Sequence, residues 1–204
     1  SPKPEKFYAE HRAGFFRGWN YTEKAWAGLD SAALTRVAET LAERRVVLIP
    51  TLALHENFSR LDDPAMLGQA DFKSMPDSQL KAWNLPDLIA RAGWTANDYP
   101  AFRAGRSNQD LFIRAYRAAG GRLVAGTDAA NQLLVPGLSL HSELELLVNA
   151  GLTPSDALQT ATRNAAQLLG ADSLGVVQPG KVADLVILKA NPLLDIHNTR
   201  LVQR

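Results

Sequence analysis

The stretch that decides the fold is Leu123-Val124-Ala125-Gly126-Thr127-Asp128. It is a short apolar run that ends on Gly-Thr-Asp, a pattern typical of a buried parallel strand with a polar residue at its carboxyl end. In a β/α barrel that end of the strands forms the catalytic face, so a carboxylate there is a candidate metal ligand or general base. The alternative is structural, because an Asp at the end of a strand can also cap the loop that follows.

The segments before this strand alternate between helical and strand patterns. Asp30 is placed to cap a helix, and the apolar run 46–52 follows that helix after a short turn. A second helix, at about 108–119, ends at the glycine pair 120–121 and leads into the strand that ends at Asp128. This alternation predicts an α/β fold with buried parallel strands.

Three further regions have patterns of their own. Residues 1–28 are rich in aromatic side chains, and we expect a loop insertion or the middle of an element that packs on neighbouring structure. Residues 55–76 are expected to form a long polar connection, which in compact domains is often a lid or binding loop. After Asp128 we expect two helices, the second capped by Thr153 with Asp156 completing a capping box.

The pattern changes at about residue 171. Residues 175–180 are typical of a strand that enters a tight turn with Pro179-Gly180 at its centre, and 182–188 are typical of a second strand. No helical periodicity is present in this part of the sequence. We therefore expect two domains, 1–170 and 171–204, of which the second is built from β-structure.

The composition excludes several classes of function. The 204 residues carry a net charge of +1 and no cysteine. A nearly neutral chain without a basic run is not expected to bind nucleic acid, and thiolate metal sites and disulfides are excluded. No apolar run approaches the ~20 residues that span a bilayer, so no membrane partner is expected. The sequence does not predict the compartment, which is cytoplasmic or, if an export signal precedes Ser1 in a longer polypeptide, external.

Histidines near the two predicted strands are candidates for substrate contact. His55 follows the 46–52 strand on the expected catalytic face, and His141 lies near the start of the helix that follows the second strand. An exposed loop or helix-start histidine is the alternative in both cases, and no two histidines stand at metal-ligand spacing. Glu143 and Glu145 are expected to form the solvated face of their helix.

An ordered series of short segments carries a family resemblance. The segments are Val47-Leu48-Ile49-Pro50-Thr51-Leu52, Ala125-Gly126-Thr127-Asp128, Ala150-Gly151-Leu152-Thr153-Pro154, Ala161-Thr162-Arg163-Asn164-Ala165-Ala166, Pro179-Gly180-Lys181-Val182-Ala183-Asp184-Leu185-Val186-Ile187-Leu188 and Asn191-Pro192-Leu193. In this order and at this spacing they resemble the C-terminal portion of the amidohydrolase superfamily. The subgroup they resemble is that of the imidazolonepropionase-like enzymes, which include Xaa-Pro dipeptidases.

The resemblance implies a fold and a role for Asp128. The family fold is a metal-dependent (β/α)8 TIM barrel with a small β-sandwich made from both chain ends. By this resemblance, residues 1–170 are part of the barrel with strands seven and eight and their helices, and 171–204 are part of the sandwich. Asp128 is similar to the strand-eight aspartate, which binds metal and acts as general base. The family's other ligands, a His-x-His on strand one, a carboxylated Lys or a Glu on strand four and histidines on strands five and six, have no counterpart here.

The resemblance also implies an activity. We expect a metal-dependent amidohydrolase that hydrolyses the C–N bond of an amide or peptide, with a dipeptide or a cyclic amide as substrate. One or two divalent ions, with zinc as the expected metal, and His55 and His141 as substrate contacts would complete the intact enzyme. As an incomplete C-terminal fragment, the chain would need the missing N-terminal part of the barrel for activity, and a homo-oligomer is left open. The alternative is a non-catalytic barrel relic or interaction module.

Overall fold

Two short parallel strands form the sheet that the described residues contain. The computed structural model describes residues 3–129 and 131–203. Strand β1 (Val47–Leu48) pairs with strand β2 (Arg122–Leu123), and one further bond, from Val124 N to Leu48 O at 3.0 Å, extends the pairing. The predicted strands 46–52 and 123–127 are therefore in the right places but too long. Among the described residues the sheet has no third strand, so the outer edges lack the ladder partners that would keep a longer stretch extended.

Helices are the main secondary structure of the described residues. They are α1 Pro4–Ala13, α2 Phe15–Ala25, α3 Ser31–Glu43, α4 Leu52–Ser59, α5 Asp77–Ala82, α6 Leu85–Ala92, α7 Asp98–Ala104, α8 Arg106–Ala118, α9 Leu138–Asn149, α10 Pro154–Ala161 and α11 Arg163–Leu168. None of the helices in the described parts of the chain is long and apolar enough to cross a membrane.

Local signals fixed several helix ends as predicted. The Asp30 carboxylate accepts a hydrogen bond from Ala33 N at 2.8 Å and caps α3. At the start of α10, the Thr153 hydroxyl accepts from Asp156 N at 3.1 Å and donates to the Asp156 carboxylate at 2.9 Å. Both predicted N-caps are confirmed. The second predicted helix after Asp128 is split, because the chain leaves helical geometry at Thr162 between α10 and α11.

The aromatic N-terminal region is a helical hairpin, so the expected loop insertion is wrong. Helices α1 and α2 approach closely at Gly18, where a side chain would collide with His11 at 2.8 Å. Trp19 of α2 packs against the rings of Phe58 and Trp94, at centroid distances of 5.4 and 5.2 Å. The aromatic density is thus explained by burial of the α2 face against α4 and the segment after α6.

The expected polar connection at 55–76 begins inside a helix. Helix α4 starts at Leu52 and buries Leu54 and Phe58, which lie four residues apart on one face. Burial of this apolar pair favours a helix, although the residues between Leu54 and Phe58 are polar. Short 3-10 turns, Met66–Gly68 and Phe72–Ser74, continue the connection.

The helices and strands pack around two hydrophobic cores. The first lies among α2, α4, α6 and α7 and includes the buried loop residues Leu133, Leu134 and Val135. The second packs α3, α8, α9 and α10 around the two strands, with Tyr116 and Leu123 at its centre. The loop after Asp128 is therefore anchored by the first core, and the strands are anchored by the second.

The C-terminal region forms less β-structure than predicted. The turn at Pro179-Gly180 is confirmed, with Lys181 N donating to Gln178 O at 3.2 Å and Gly180 at a φ of +81°. The predicted strands 175–177 and 182–188 are not present. An isolated antiparallel bridge joins Leu188 to Val202 instead. Apolar side chains of 182–188 remain exposed, since nothing among the described residues covers them. The division into domains 1–170 and 171–204 stays a prediction.

Candidate functional site

Asp128 lies in the loop that leaves β2 and is exposed. Its backbone has a φ of +59°, a left-handed conformation that Asp tolerates better than most residues and that recurs at functional sites. Asn131 Nδ2 donates to Asp128 Oδ2 at 2.7 Å, and Asn131 N donates to the Asp128 carbonyl at 2.9 Å. Oδ1 accepts no hydrogen bond from the described residues. The turn therefore orients the carboxylate and leaves one oxygen available for chemistry.

His55 lies in the first half of α4, just beyond the end of β1. Its Nδ1 is 2.8 Å from Glu23 Oε2, and its ring stacks on Trp19 with a centroid distance of 5.9 Å and an angle of 22°. Glu23 is 2% exposed and also accepts a hydrogen bond from Gln109 Nε2 at 2.9 Å. One nitrogen of His55 is thus part of a buried polar network, and the role of His55 as a substrate contact stays a prediction. Sequence reasoning missed Glu23, which lies 32 residues from His55.

His141 lies in the first turn of α9 and is half-buried. Its Nδ1 is 3.0 Å from the hydroxyl of Thr199. Burial lowers the pKa of His141, and the nearby Arg200 guanidinium lowers it further. Arg200 in turn forms ion pairs with Glu145 at 2.6 Å and Asp71 at 3.0 Å. The environment therefore favours a neutral imidazole at His141.

Glu143 is the largest correction to the sequence analysis, because it is fully buried and not part of a solvated face. One carboxylate oxygen accepts a hydrogen bond from Ala53 N at 2.7 Å, and the other, Oε1, is buried without a hydrogen-bond partner among the described residues. Burial raises the pKa of Glu143 to about 7. A signal was present in the sequence: Glu143 is at helical spacing from Leu140 and Leu147, on the apolar side of α9.

The two loops that follow the strands meet at one end of the sheet. Asn57 Nδ2 of α4 donates to the carbonyl of Leu133, in the loop after Asp128, at 2.7 Å. Because β1 and β2 are parallel, both loops leave from the carboxyl ends of the strands, as the sequence analysis expected. The described structure places no hydrogen bond or ion pair between any two of Asp128, His55 and His141.

The described groups near Asp128 do not supply a complete set of metal ligands. Within residues 3–129 and 131–203, no group of three His, Asp or Glu side chains is arranged to hold a metal ion. Catalytic zinc needs three protein ligands in most sites, and Asp128 offers one carboxylate. The described residues therefore do not fit a complete metal site, and any metal would need further ligands from elsewhere.

Comparison with known proteins gives consistent matches. The sequence model of a protein family, described as the amidohydrolase family, matches residues 16–202. An imidazolonepropionase of Cereibacter sphaeroides is 32% identical over 161 residues, which are 76% of this chain and 40% of the relative. An 8-oxoguanine deaminase of Pseudomonas aeruginosa is 38% identical over 69 residues, which are 34% of this chain and 15% of the relative.

A solved structure shares the fold. The crystal structure of a Xaa-Pro dipeptidase with bound methionine in the active site superposes with a TM-score of 0.55 at 24% identity, over 91% of this chain and 39% of that chain. The chain spans about 40% of the length of the curated imidazolonepropionase that it matches.

Proposed function

The chain belongs to the amidohydrolase family, and from this membership we propose that it is the C-terminal part of a hydrolase that cleaves a C–N bond in an amide or peptide. The resemblance to the imidazolonepropionase-like subgroup, drawn from the sequence alone, is confirmed by the curated relatives. The described architecture is a partial amidohydrolase fold, rich in helices.

The finer architecture belongs to the proposal. We place β1 and β2 as strands seven and eight of a (β/α)8 barrel and residues 171–203 in a small β-sandwich. Support comes from the parallel pairing of the two strands across an intervening helical segment, which is the connection that barrels use. The exposed apolar side chains of 182–188 favour further β-structure supplied by the rest of the polypeptide.

The observation that carries the proposed activity is the position of Asp128. It follows a parallel strand at its carboxyl end, its backbone is left-handed, and Asn131 holds one of its oxygens at 2.7 Å. The other oxygen, Oδ1, is free to accept the proton of an attacking water molecule. The same carboxyl group then donates that proton to the leaving nitrogen, so that general base and general acid are one residue.

The family generally uses divalent metals, and we propose one or two divalent ions, with zinc first, for the complete enzyme. When bound, such an ion would polarise the scissile carbonyl and would lower the pKa of water. Asp128 is the one ligand that we assign to this chain. The other ligands would come from the part of the enzyme that precedes it.

We propose substrate contacts for both histidines. His55 is held beside the end of β1 by Glu23, and His141 is kept neutral by burial and by Arg200. A neutral imidazole can donate or accept a hydrogen bond without adding a charge to the site. A dipeptide or a cyclic amide offers both a carbonyl and an N–H group for such contacts.

The test uses the complete encoded polypeptide, including the residues upstream of this chain. We expect divalent-metal-dependent hydrolysis of at least one member of a panel of Xaa-Pro dipeptides and cyclic amides, with Asp128→Asn as the inactive control. Asn131→Ala, which removes only the oriented amide, should retain partial turnover. A metal-loaded polypeptide that hydrolyses no member of the panel would favour the non-catalytic barrel relic. An upstream sequence without His-x-His would favour it as well.

A further inference from the structure

We infer that Glu23 fixes the tautomer of His55, so that Nε2 of this ring is a lone-pair acceptor for an N–H group of the substrate. The inference has two parts. The tautomer of His55 is its structural half, which concerns this chain alone. The contact between Nε2 and the substrate is its substrate half, which rests on the proposed function. It assigns a positioning role to Glu23, and it specifies which atom of His55 meets the substrate.

The hydrogen bond between Glu23 and His55 has one possible direction. A carboxylate can only accept hydrogen bonds, so the 2.8 Å contact between Glu23 Oε2 and His55 Nδ1 requires a proton on Nδ1. In a neutral imidazole the second nitrogen then carries no proton. In this neutral form, Nε2 keeps its lone pair and is available as an acceptor.

The Glu23 carboxylate cannot easily turn away from His55. Its two oxygens have different partners: Oε2 faces His55, and Oε1 accepts the 2.9 Å bond from Gln109 Nε2. Glu23 is 2% exposed, so water does not compete for either oxygen. A buried carboxylate that holds a histidine in this way is the arrangement that sets tautomers at metal and catalytic sites.

The His55 ring has a fixed orientation. Trp19 stacks on it at 5.9 Å, and α4, which carries His55, is itself fastened at Ala53 by Glu143. The histidine therefore has a defined position as well as a defined tautomer. That combination is what substrate positioning requires.

The His55 side chain is accessible from a cavity. The His55 side chain is 22% exposed and lines a cavity of about 270 Å³ beside the end of β1. Most of the other walls are apolar, with Trp26, Ile49 and Phe112 among them. The described residues donate no hydrogen bond to Nε2. An amide N–H next to an apolar group is the ligand chemistry that this combination fits, and dipeptides and cyclic amides both carry it.

The first experiment reads the tautomer directly. The complete encoded polypeptide is labelled with ¹⁵N on histidine, and long-range ¹H–¹⁵N correlations are recorded at pH 8, with His55→Gln used to assign the signal. We expect His55 as the Nδ1–H form, with an unprotonated Nε2. Glu23→Gln should shift the population toward Nε2–H, because the Gln amide can donate to Nδ1. Glu39→Gln, on the exposed face of α3, is the matched control and should change nothing.

The wild-type spectrum decides the structural half whether or not Glu23→Gln folds. A ring that is Nε2–H in the wild type overturns the assignment of Glu23. So does a folded Glu23→Gln variant that keeps the wild-type tautomer.

The second experiment tests the substrate half. In an active polypeptide, Glu23→Gln should lower kcat/KM by about five- to tenfold, mainly through KM, which is the size of one neutral hydrogen bond. Glu23→Asp, which retains a carboxylate, should recover part of the loss. A switched tautomer with an unchanged kcat/KM overturns the substrate contact. A polypeptide with no hydrolase activity overturns the proposed function and with it the substrate half, but not the tautomer result.

Discussion

The carboxylate of Glu143 accepts a hydrogen bond from the backbone N–H of Ala53 across 2.7 Å, although the two residues are 90 positions apart. Ala53 lies in the first turn of α4, where backbone N–H groups have no partner within the helix. The bond joins α9, which follows the Asp128 loop, to α4, which carries His55. This buried carboxylate is therefore one of the contacts that set the relative position of the two candidate site loops, together with the bond from Asn57 to Leu133.

Removal of this acceptor should destabilise the fold. Glu143→Ala leaves the Ala53 N–H buried without a partner, a change that typically costs about 1–3 kcal/mol, and it also opens a cavity. Glu143→Gln keeps a carbonyl oxygen in place and should cost less. Urea unfolding of the complete polypeptide at pH 6 measures both, with the exposed Glu39→Gln as control. Equal stabilities for the Ala and Gln variants would contradict the assigned contact.

Glu143 should also make stability depend on pH in an unusual direction. Its folded pKa of about 7 is above the ordinary 4.5, so between these values the folded state holds a proton that the unfolded state has released. The free energy of unfolding should therefore fall as pH rises from about 4.5 to about 7, by roughly 3 kcal/mol, and then level off.

The charged groups that face Glu143 oppose this shift. They are the Arg106 guanidinium on α8 and, only when it is protonated, the His55 ring on α4, and both favour the ionised form of Glu143. Urea unfolding at pH 5, 6, 7 and 8 provides the profile. Glu143→Gln should flatten it, while Glu39→Gln should leave the wild-type slope. Parallel profiles for wild type and Glu143→Gln would show that Glu143 does not titrate in this interval.

Asp128→Asn should remove turnover and preserve the fold. Asn has nearly the same volume as Asp and the site is exposed, so the packing cost is small. It cannot accept a proton, and loss of a general base lowers the rate by about 10²–10⁴. Steady-state kinetics with the metal content checked for each variant is the measurement. Near-normal turnover at full metal occupancy would refute the role of Asp128.

Arg200→Gln should raise the pKa of His141. The guanidinium lowers this pKa at present, while the carboxylates of Glu145 and Asp71 raise it, and removal of the cation leaves the carboxylates unopposed. Burial continues to lower the pKa of His141, so this pKa should rise only part of the way to its ordinary value. NMR titration of the His141 ring reports the change. Arg163→Gln, at an exposed position on α11, is the control and should leave the titration unmoved.

The 204-residue chain alone should hold far less than one equivalent of divalent metal. One candidate carboxylate cannot replace a site of three or more ligands, and no such group exists among the described residues. Elemental analysis after dialysis against metal-free buffer is the measurement, with the complete polypeptide as positive control. Stoichiometric zinc in the short chain would show that the ligand set has been misplaced.

Local features of the sequence predicted more of this structure than did the long-range ones. The caps at Asp30 and Thr153 depend on neighbours within three residues, so the sequence contains their full cause. Strand length depends on pairing with other strands, and for that reason β1 and β2 are shorter than the apolar runs suggest.

In the candidate site, too, local features could be predicted from the sequence and long-range contacts could not. The location of Asp128 after a parallel strand could be predicted, because it follows from one continuous run of residues. The network around His55 could not, since Glu23 and Gln109 are 86 positions apart and meet only through packing. The polar residue types at positions 143 and 145 of α9 predicted solvent exposure for Glu143. Only its helical spacing to Leu140 and Leu147 indicated burial.

The close approach of Gly121 to Tyr116 limits how this chain can change. Any side chain at position 121 would lie 2.4 Å from the Tyr116 ring. The Tyr116 hydroxyl also donates to the carbonyl of Val46, at the entry to β1. A side chain at 121 would displace the Tyr116 ring, and replacement of Tyr116 would remove its hydrogen bond to Val46. Either change alone would weaken the packing of α8 against the sheet. Across related sequences the two positions should therefore covary, with a larger residue at 121 tolerated only where the aromatic ring at 116 has been replaced by a small side chain.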